Sequence, residues 1–88
     1  MKGDLSVLRD RIDAIDAELV GLFEKRMEAS RQVGVYKREH DLPVLDQRRE
    51  DAVLDNRVAR LQDARWAAAT RALFAEIMRL SREEQQRA

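Results

Sequence analysis

The chain has 88 residues, one domain at most, and its seventeen lysines and arginines balance seventeen aspartates and glutamates. A formal net charge of zero argues against non-specific nucleic-acid binding, and the lack of cysteine, with a single histidine (His40), argues against disulfides and zinc. The sequence contains neither a signal-peptide pattern nor a membrane-spanning apolar run, so a cytoplasmic protein is expected.

The composition predicts an all-α fold in a single domain over residues 1–88. Only three glycines and one proline interrupt a chain that is rich in Ala, Leu, Arg and Glu, all of which favour helices. A chain this short can bury only a limited core of its own. A partner subunit is therefore expected.

The first predicted element is one long amphipathic helix from Leu8 to about His40. At about 1.5 Å per residue it is roughly 50 Å long, whereas a compact globule of this chain length is only about 30 Å across. The helix should therefore overhang the core of one chain, and its apolar face needs a second chain. That face recurs every three or four residues: Leu8, Ile12, Ile15, Leu19, Leu22, Ala29 and Val33.

Two further helices are predicted after Asp41-Leu42-Pro43, because a proline disfavours the helical conformation at the residue before it. Asp46 is placed to cap a helix of about residues 47–62, and Asp63 to cap a third that runs to the C-terminus. No glycine or proline separates these two helices, so one continuous kinked helix is an alternative. The inward face of the second helix is expected to contain Val53, Leu54, Val58 and Leu61, and the third helix is expected to run through Trp66, Leu73, Phe74, Ile77 and Leu80.

Arg26 occupies the position at which the apolar face of the first helix continues beyond Leu22. An unpaired buried cation is costly, so either an internal carboxylate or a bound anion should accompany it. Lys37 lies almost three helical turns further on and points the same way, with the two Cα atoms roughly 16 Å apart. Together the two cations predict a site for a compact, doubly charged anion.

The later helices also carry polar side chains on their inward faces. Glu50 is interpreted as an inward acceptor, whereas Asp46 and Arg49 fit either the site or a helix cap with a surface ion pair. Ser81 and Gln85 continue the apolar face of the third helix, although fraying is an alternative for Gln85. Nothing here resembles a nucleophile–base pair, a phosphate loop or a metal cluster. The predicted chemistry is to hold a dicarboxylate in one conformation and to donate hydrogen bonds to developing charge.

Three segments carry these positions in a characteristic order. They are Leu8-Arg9, Ile12-Asp13, Asp16, Leu19, Leu22, Arg26, Val33-Gly34 and Lys37; then Pro43-Val44-Leu45-Asp46-Gln47-Arg48-Arg49-Glu50; and finally Leu73-Phe74, Ile77, Ser81 and Gln85. In this order and at these spacings, they resemble the all-helical, type II class of chorismate mutases in its single-domain form. The resemblance covers nearly the whole chain.

The resemblance implies an intertwined homodimer of three-helix chains, whose long first helices span both subunits. It implies catalysis of the Claisen rearrangement of chorismate to prephenate, on the route to phenylalanine and tyrosine. That reaction is unimolecular and needs no cofactor. This suits a predicted site with neither nucleophile nor metal.

The resemblance also implies the roles of the catalytic residues. Arg26 would bind a substrate carboxylate from within its own chain, and Arg9 would reach a carboxylate from the partner subunit. Geometry independently separates these two, since Arg9 lies about 25 Å before Arg26 on one rigid helix. Lys37 and Gln85 would bond the ether oxygen and stabilise the charge that grows as the C–O bond breaks. Lys37 would also contact a carboxylate.

Four more substrate contacts are implied. Glu50 would accept the hydrogen bond of the ring hydroxyl, and Asp46 would lie at the adjoining backbone contact. Ser81 would contact a carboxylate, and Arg49 would support the site through an ion pair. With the residues above, these complete the predicted substrate-binding set.

Two alternatives come from other functional classes. Isochorismate-pyruvate lyases resemble the mutases at the arginines, the lysine and the amide, but typically lack the element that here reads Asp46, Arg49 and Glu50. Its retention, with that of Ser81, favours the mutase. The second alternative is a weakly active or regulatory helical partner of another enzyme of the aromatic (shikimate) pathway. A purely structural coiled coil would require an apolar residue in place of Arg26.

Overall fold

The computed structural model describes residues 3–88, which form three α-helices and one short 3-10 turn. α1 is Asp4–Glu39, α2 is Gln47–Ala59 and α3 is Ala67–Arg87, with the 3-10 turn Ala64–Trp66 leading into α3. α3 packs against both α1 and α2. The prediction of an all-α chain with three helices and a very long first one is confirmed.

α1 begins one turn earlier than predicted, at Asp4 instead of Leu8. The backbone N–H of Val7 already donates to the Gly3 carbonyl at 3.2 Å. Asp4 lies in the first turn, where a negative charge interacts favourably with the helix dipole. Leu5 lies three residues before Leu8, on the same apolar face. The prediction left out this first turn, so the predicted start of the helix is wrong.

The end of α1 is closed by Asp41, which adopts a left-handed conformation with φ of 54°. Its backbone N–H donates to the carbonyl of Arg38 at 3.3 Å, and the N–H of Leu42 donates to that of Lys37 at 2.8 Å. These two bonds form the Schellman arrangement, in which aspartate tolerates the left-handed position better than most residues do. The predicted break before Pro43 is confirmed, and Asp41 makes the turn.

Asp46 caps α2, as predicted, whereas Asp63 caps the 3-10 turn that leads into α3 and not α3 itself. The Oδ1 atom of Asp46 accepts a hydrogen bond from the backbone N–H of Arg49 at 3.0 Å. α2 ends at Ala59, three residues before the predicted end. Asp63 accepts from the backbone N–H of Arg65 at 3.0 Å and so caps the 3-10 turn. The alternative of one continuous kinked helix is therefore wrong.

The apolar core of residues 3–88 is small. Val53 and Met78 are buried, with 4% and 6% of their surfaces exposed. Val53 was predicted to face inward and is buried, and the other three positions predicted to face inward on α2, Leu54, Val58 and Leu61, are half-buried. On the third helical segment Phe74, Ile77 and Leu80 are half-buried, whereas Trp66 and Leu73 are exposed. Helical periodicity gives the phase of an apolar face but not the surface that covers it.

The N-terminal half of α1 extends beyond the packed part of the chain, as predicted. The molecule measures 59 × 26 × 15 Å and has a radius of gyration of 16.5 Å, against about 12 Å for a compact chain of this length. We call residues 4–22 the arm. Its apolar face is 50–61% exposed and contains Leu5, Leu8, Ile12, Ile15, Leu19 and Leu22. No helix within residues 3–88 is both long and apolar enough to cross a membrane.

Candidate active site

The three helices surround an open cleft of about 390 Å³. Seven of the eight predicted site residues line it, and they come from every helix. Arg26 and Lys37 belong to α1, Asp46, Arg49 and Glu50 to the start of α2, and Ser81 and Gln85 to the end of α3. Positions that are up to 59 residues apart in the sequence therefore meet in one cavity.

Arg9 is the one predicted site residue that does not line this cleft. It lies exposed on the arm, about 25 Å along α1 from Arg26. The inference that Arg9 cannot reach the site of its own chain agrees with this placement. Its contribution from a second chain stays a prediction.

Arg26 is held at the cleft by Ser81, which is itself bonded to Ser30. Its guanidinium donates to Ser81 Oγ at 2.5 Å, and the hydroxyl of Ser30 donates to the same oxygen at 3.1 Å. Ser30 and Ser81 are buried, with 8% and 5% of their surfaces exposed, respectively. Within residues 3–88, the side-chain partner of Arg26 is thus a hydroxyl, and no ion pair joins it to a carboxylate. The internal ion pair considered as an alternative is not formed.

The pKa of Arg26 is lowered, first by burial and then by repulsion from Arg57 and Arg49. An arginine remains protonated in proteins, so the lowered pKa reports the cost of keeping a cation in the cleft. A carboxylate placed against the guanidinium would offset both the lost hydration and the repulsion.

Lys37 and Gln85 form the other polar centre of the cleft. Lys37 Nζ donates to the Val44 carbonyl at 2.6 Å and to Gln85 Oε1 at 2.9 Å. An ammonium group has three hydrogens, so one remains for a ligand. Because the Gln85 oxygen accepts from Lys37, its NH₂ group is available as a donor. The two side chains can therefore donate to one acceptor atom that lies between them.

Gly34 allows α1, which carries Lys37, to lie close to α3, which carries Gln85. It is buried, and a Cβ atom built there would lie 2.6 Å from both the Cα and the carbonyl oxygen of Gln85. A side chain at this position would separate α3 from α1 at the level where Lys37 meets Gln85. Gly34 was part of the sequence pattern, but its contact with α3 was not foreseen.

Glu50 faces inward, as predicted, and it is paired with Arg82. The two side chains are joined by an Nη1–Oε1 contact of 2.5 Å and are 17% and 30% exposed, with Glu50 the more buried. The expected surface ion pair of Arg49 is not formed: among residues 3–88, Arg49 contacts Asp46 only through its backbone N–H. The capping half of that alternative is confirmed, and the ion-pair half is wrong.

Sequence reasoning missed three residues at this site: Ser30, Arg57 and Arg82. The first two had a signal, since Ser30 follows Arg26 by one turn and Arg57 follows Arg49 by two turns, so each continues a face that was already identified. Arg82 had none, because its partner Glu50 lies on another helix. With Arg57 included, four cations and two carboxylates line the cleft, an excess of two positive charges that suits a doubly charged anion.

Comparison with known proteins identifies a family and several relatives. The family model described as chorismate mutase type II matches residues 8–86. A protein named T-protein from Haemophilus influenzae is 40% identical over 75 residues, which are 85% of this chain and 19% of that protein. A 3-dehydroquinate dehydratase from Pyrobaculum aerophilum is 40% identical over 52 residues, which are 59% of this chain and 17% of that protein.

A solved structure has a similar fold. It is a conserved hypothetical protein from Pyrococcus furiosus, with a TM-score of 0.77 and 33% sequence identity, over 97% of this chain and 99% of that one. The chain spans less than a fifth of the length of the curated relatives above.

Proposed function

The chain belongs to the type II chorismate mutase family, and from that premise we propose that it catalyses the rearrangement of chorismate to prephenate. The observation that carries the proposal is the cleft itself, which has an excess of two positive charges and places Arg26 and Lys37 with a hydroxyl and an amide. Chorismate presents two carboxylates, one ether oxygen and one ring hydroxyl. The cleft offers groups that complement one carboxylate, the ether oxygen and the hydroxyl, and the second carboxylate requires the further cation considered below.

In the proposed reaction, Arg26 and Ser81 bind one carboxylate and fix the position of the side chain that migrates. Lys37 and Gln85 donate to the ether oxygen, on which negative charge grows as its bond to the ring breaks. Their hydrogen bond at 2.9 Å and the Val44 contact already orient both donors. Such preorganised donors stabilise the transition state more than the ground state, and that difference accelerates the reaction. No cofactor takes part in this step.

The start of α2 is proposed to bind the ring. Glu50 would accept the hydrogen bond of the ring hydroxyl through the oxygen that Arg82 leaves available. The Arg82 contact orients this carboxylate and keeps it beside a cation. Asp46 caps α2 and so fixes the backbone that adjoins the ring, while Arg49 adds positive charge at the rim.

We further propose that two chains associate through their arms as an intertwined homodimer. Each arm exposes a continuous apolar face, and the packed part of one chain buries little apolar surface of its own. Covering that face would contribute roughly 25 cal/mol for each Å² removed from water. In the dimer, Arg9 of one chain would complete the cleft of the other and bind the second carboxylate.

Spectroscopic assay of the purified protein tests the activity. Chorismate absorbance should fall as prephenate forms, and isochorismate in a parallel reaction should yield no pyruvate. Release of pyruvate from isochorismate would instead establish the lyase. If turnover of chorismate required another aromatic-pathway enzyme, the regulatory alternative would be correct. No turnover of either substrate under any of these conditions would refute the enzyme proposal.

Mixing of inactive variants tests the shared site. Arg9→Ala and Arg26→Ala are each expected to be inactive, yet a heterodimer of the two has one site with both arginines intact. After full subunit exchange, an equal mixture should recover about a quarter of the wild-type activity, because half of the dimers carry one intact site of two. Recovery of no activity, with exchange verified by mass spectrometry, would exclude a site built from two chains.

The proposed activity also suggests which enzymes this chain associates with. The matched relatives are several times longer than this chain, so we propose that it acts beside another enzyme of aromatic amino-acid biosynthesis. Pull-down of such enzymes with the purified chain tests this. A cytoplasmic location stays a prediction.

A further inference from the structure

Among the cations that line the cleft, Arg57 has no role in the proposed reaction. It lies on α2 at one-turn spacing from Val53 and two-turn spacing from Arg49, and all three line the same cleft. The side chain is half-buried. Its position is therefore on the wall of the site and not on the outer surface of α2.

The neighbours of Arg57 leave its charge uncompensated. Its guanidinium carbon lies 5.8 Å from the centre of the Phe74 ring, and its Nη1 donates to the side-chain oxygen of Asn56 at 2.7 Å. Both neighbours are neutral, and within residues 3–88 no carboxylate forms an ion pair with Arg57. The ring and the amide orient the guanidinium without neutralising it.

Arg57 is also close enough to Arg26 to repel it. After burial, Arg57 is the largest cause of the lowered pKa of Arg26. Two like charges that approach each other from two helices across a half-buried cleft destabilise the empty protein. A carboxylate between them would turn that repulsion into two favourable contacts, because each guanidinium offers a planar fork of donors.

We propose that Arg57 is a second guanidinium for the carboxylate that Arg26 and Ser81 bind. The proposal rests on the proposed function for the identity of the substrate. Arg57 binds a carboxylate that keeps its charge throughout the reaction, so it contributes equally to the ground state and the transition state. Its loss should therefore raise KM and leave kcat nearly unchanged.

Steady-state kinetics with chorismate test this on the full chain. Arg57→Met keeps the length and apolar contact with Phe74 but removes the charge, and it should raise KM about tenfold with kcat within about twofold. Arg57→Lys, which keeps the charge, should recover part of the affinity. Arg48→Met is the matched control, because Arg48 lies on α2, is exposed and does not line the cleft.

Two outcomes would overturn the proposal. One is a KM for Arg57→Met within twofold of that of the wild type. The other is a fall in kcat at unchanged KM, together with loss of the oligomeric state in light scattering, since Arg57 would then act in folding or association. Light scattering on the wild type, Arg57→Met, Arg57→Lys and Arg48→Met shows whether a change in kinetics comes with a change in oligomeric state.

A binding test distinguishes this proposal from the proposed function. Malate, a small dicarboxylate, is tested as a stabiliser against thermal unfolding. It should raise Tm of the wild type and of Arg48→Met, and Arg57→Met should lose most of that rise. If the wild type does not turn over chorismate, the proposed function fails, and this measurement still decides whether Arg57 binds a carboxylate. Equal malate effects on the wild type and Arg57→Met would refute the proposal for Arg57.

Discussion

The two halves of α1 share one continuous apolar face but lie in different surroundings. In the arm, that face is more than half-exposed at most positions. Between residues 26 and 39 the same face lies against α3 and carries Arg26, Ser30 and Lys37 into the cleft. The unbroken apolar face is thus exposed in one half of α1, whereas in the other half polar residues at the same phase line the cleft.

The glycines repeat this contrast. A Cβ at Gly21, in the arm, would meet nothing within 4 Å, whereas at Gly34 it would meet the backbone of Gln85 at 2.6 Å. The same residue type is incidental to packing in one half of the helix and necessary in the other. Both were isolated glycines in a helical sequence.

The largest expected effect is the loss of activity in Arg26→Ala, in the half of α1 that lines the cleft. Turnover should fall by at least about 100-fold, since Arg26 not only binds a substrate carboxylate but also fixes the migrating side chain in the position from which it reacts. The folded protein should be as stable as the wild type or more so, because a half-buried cation next to Arg57 is removed. Chorismate consumption and urea denaturation measure these two effects.

Arg31→Ala is the control for that variant, because Arg31 is exposed on the same helix and pairs with Glu28. Its turnover should be that of the wild type. Unfolding of the Arg26 variant would mean that this arginine is a structural residue, and the contrast between the two halves would lose its functional meaning.

Ile15→Asp should have the next largest effect, in the arm. A carboxylate in the middle of an apolar interface is costly to bury, so the dimer should dissociate and turnover should fall at least about tenfold. Analytical ultracentrifugation gives the molecular mass and the assay gives the activity. Ala14→Asp adds the same charge away from the apolar face, and should remain dimeric and active. Equal behaviour of both variants would mean that the arms do not pair.

Gly34→Ala and Gly21→Ala should change the free energy of unfolding in opposite directions. Gly34→Ala forces α3 away from α1, which should cost roughly 1–3 kcal/mol of unfolding free energy and lower kcat as Gln85 moves from Lys37. Gly21→Ala should instead stabilise the protein by roughly 0.5–1 kcal/mol, since alanine is the better helix former and nothing obstructs its Cβ. Urea denaturation compares the two, and a neutral Gly34→Ala would show that the helices can separate without cost.

Asp46→Ala should destabilise the protein by about 1 kcal/mol, because one helix cap is lost. Activity should fall severalfold as the start of α2 frays at the rim of the cleft. The arm should be unaffected, so ultracentrifugation should still give a dimer. Thermal unfolding and kinetics together measure this, and an unchanged Tm would mean that the cap contributes little.

Most of the fold was accessible from the sequence because local rules govern it. The helix-forming composition, the three- and four-residue spacing, and the aspartates at the helix starts predicted three helices, the cap of α2 and an overhang. Errors occurred at the start of α1 and at the end of α2. Both concern a helix boundary, which the apolar spacing along the chain specifies less well than the existence of the helix.

The residues of the candidate site likewise fall into those that the sequence predicted and those that it did not. Arg26 and Lys37 could be predicted together because helical phase alone relates them, and the residues of α2 and α3 because they resemble a family pattern. Arg82 and the close approach at Gly34 could not, since each depends on how two helices are positioned in space.

The sequence by itself determined which residues form helices, which face of each is apolar, and where charge interrupts that face. Only the tertiary structure decided that Ser81 is the partner of Arg26, that Arg82 pairs with Glu50, and that Arg57 adds a fourth cation. The physical reason is range. Helix formation and capping act over three or four residues, whereas these contacts join residues up to 55 positions apart, which only the packing of α1, α2 and α3 brings together.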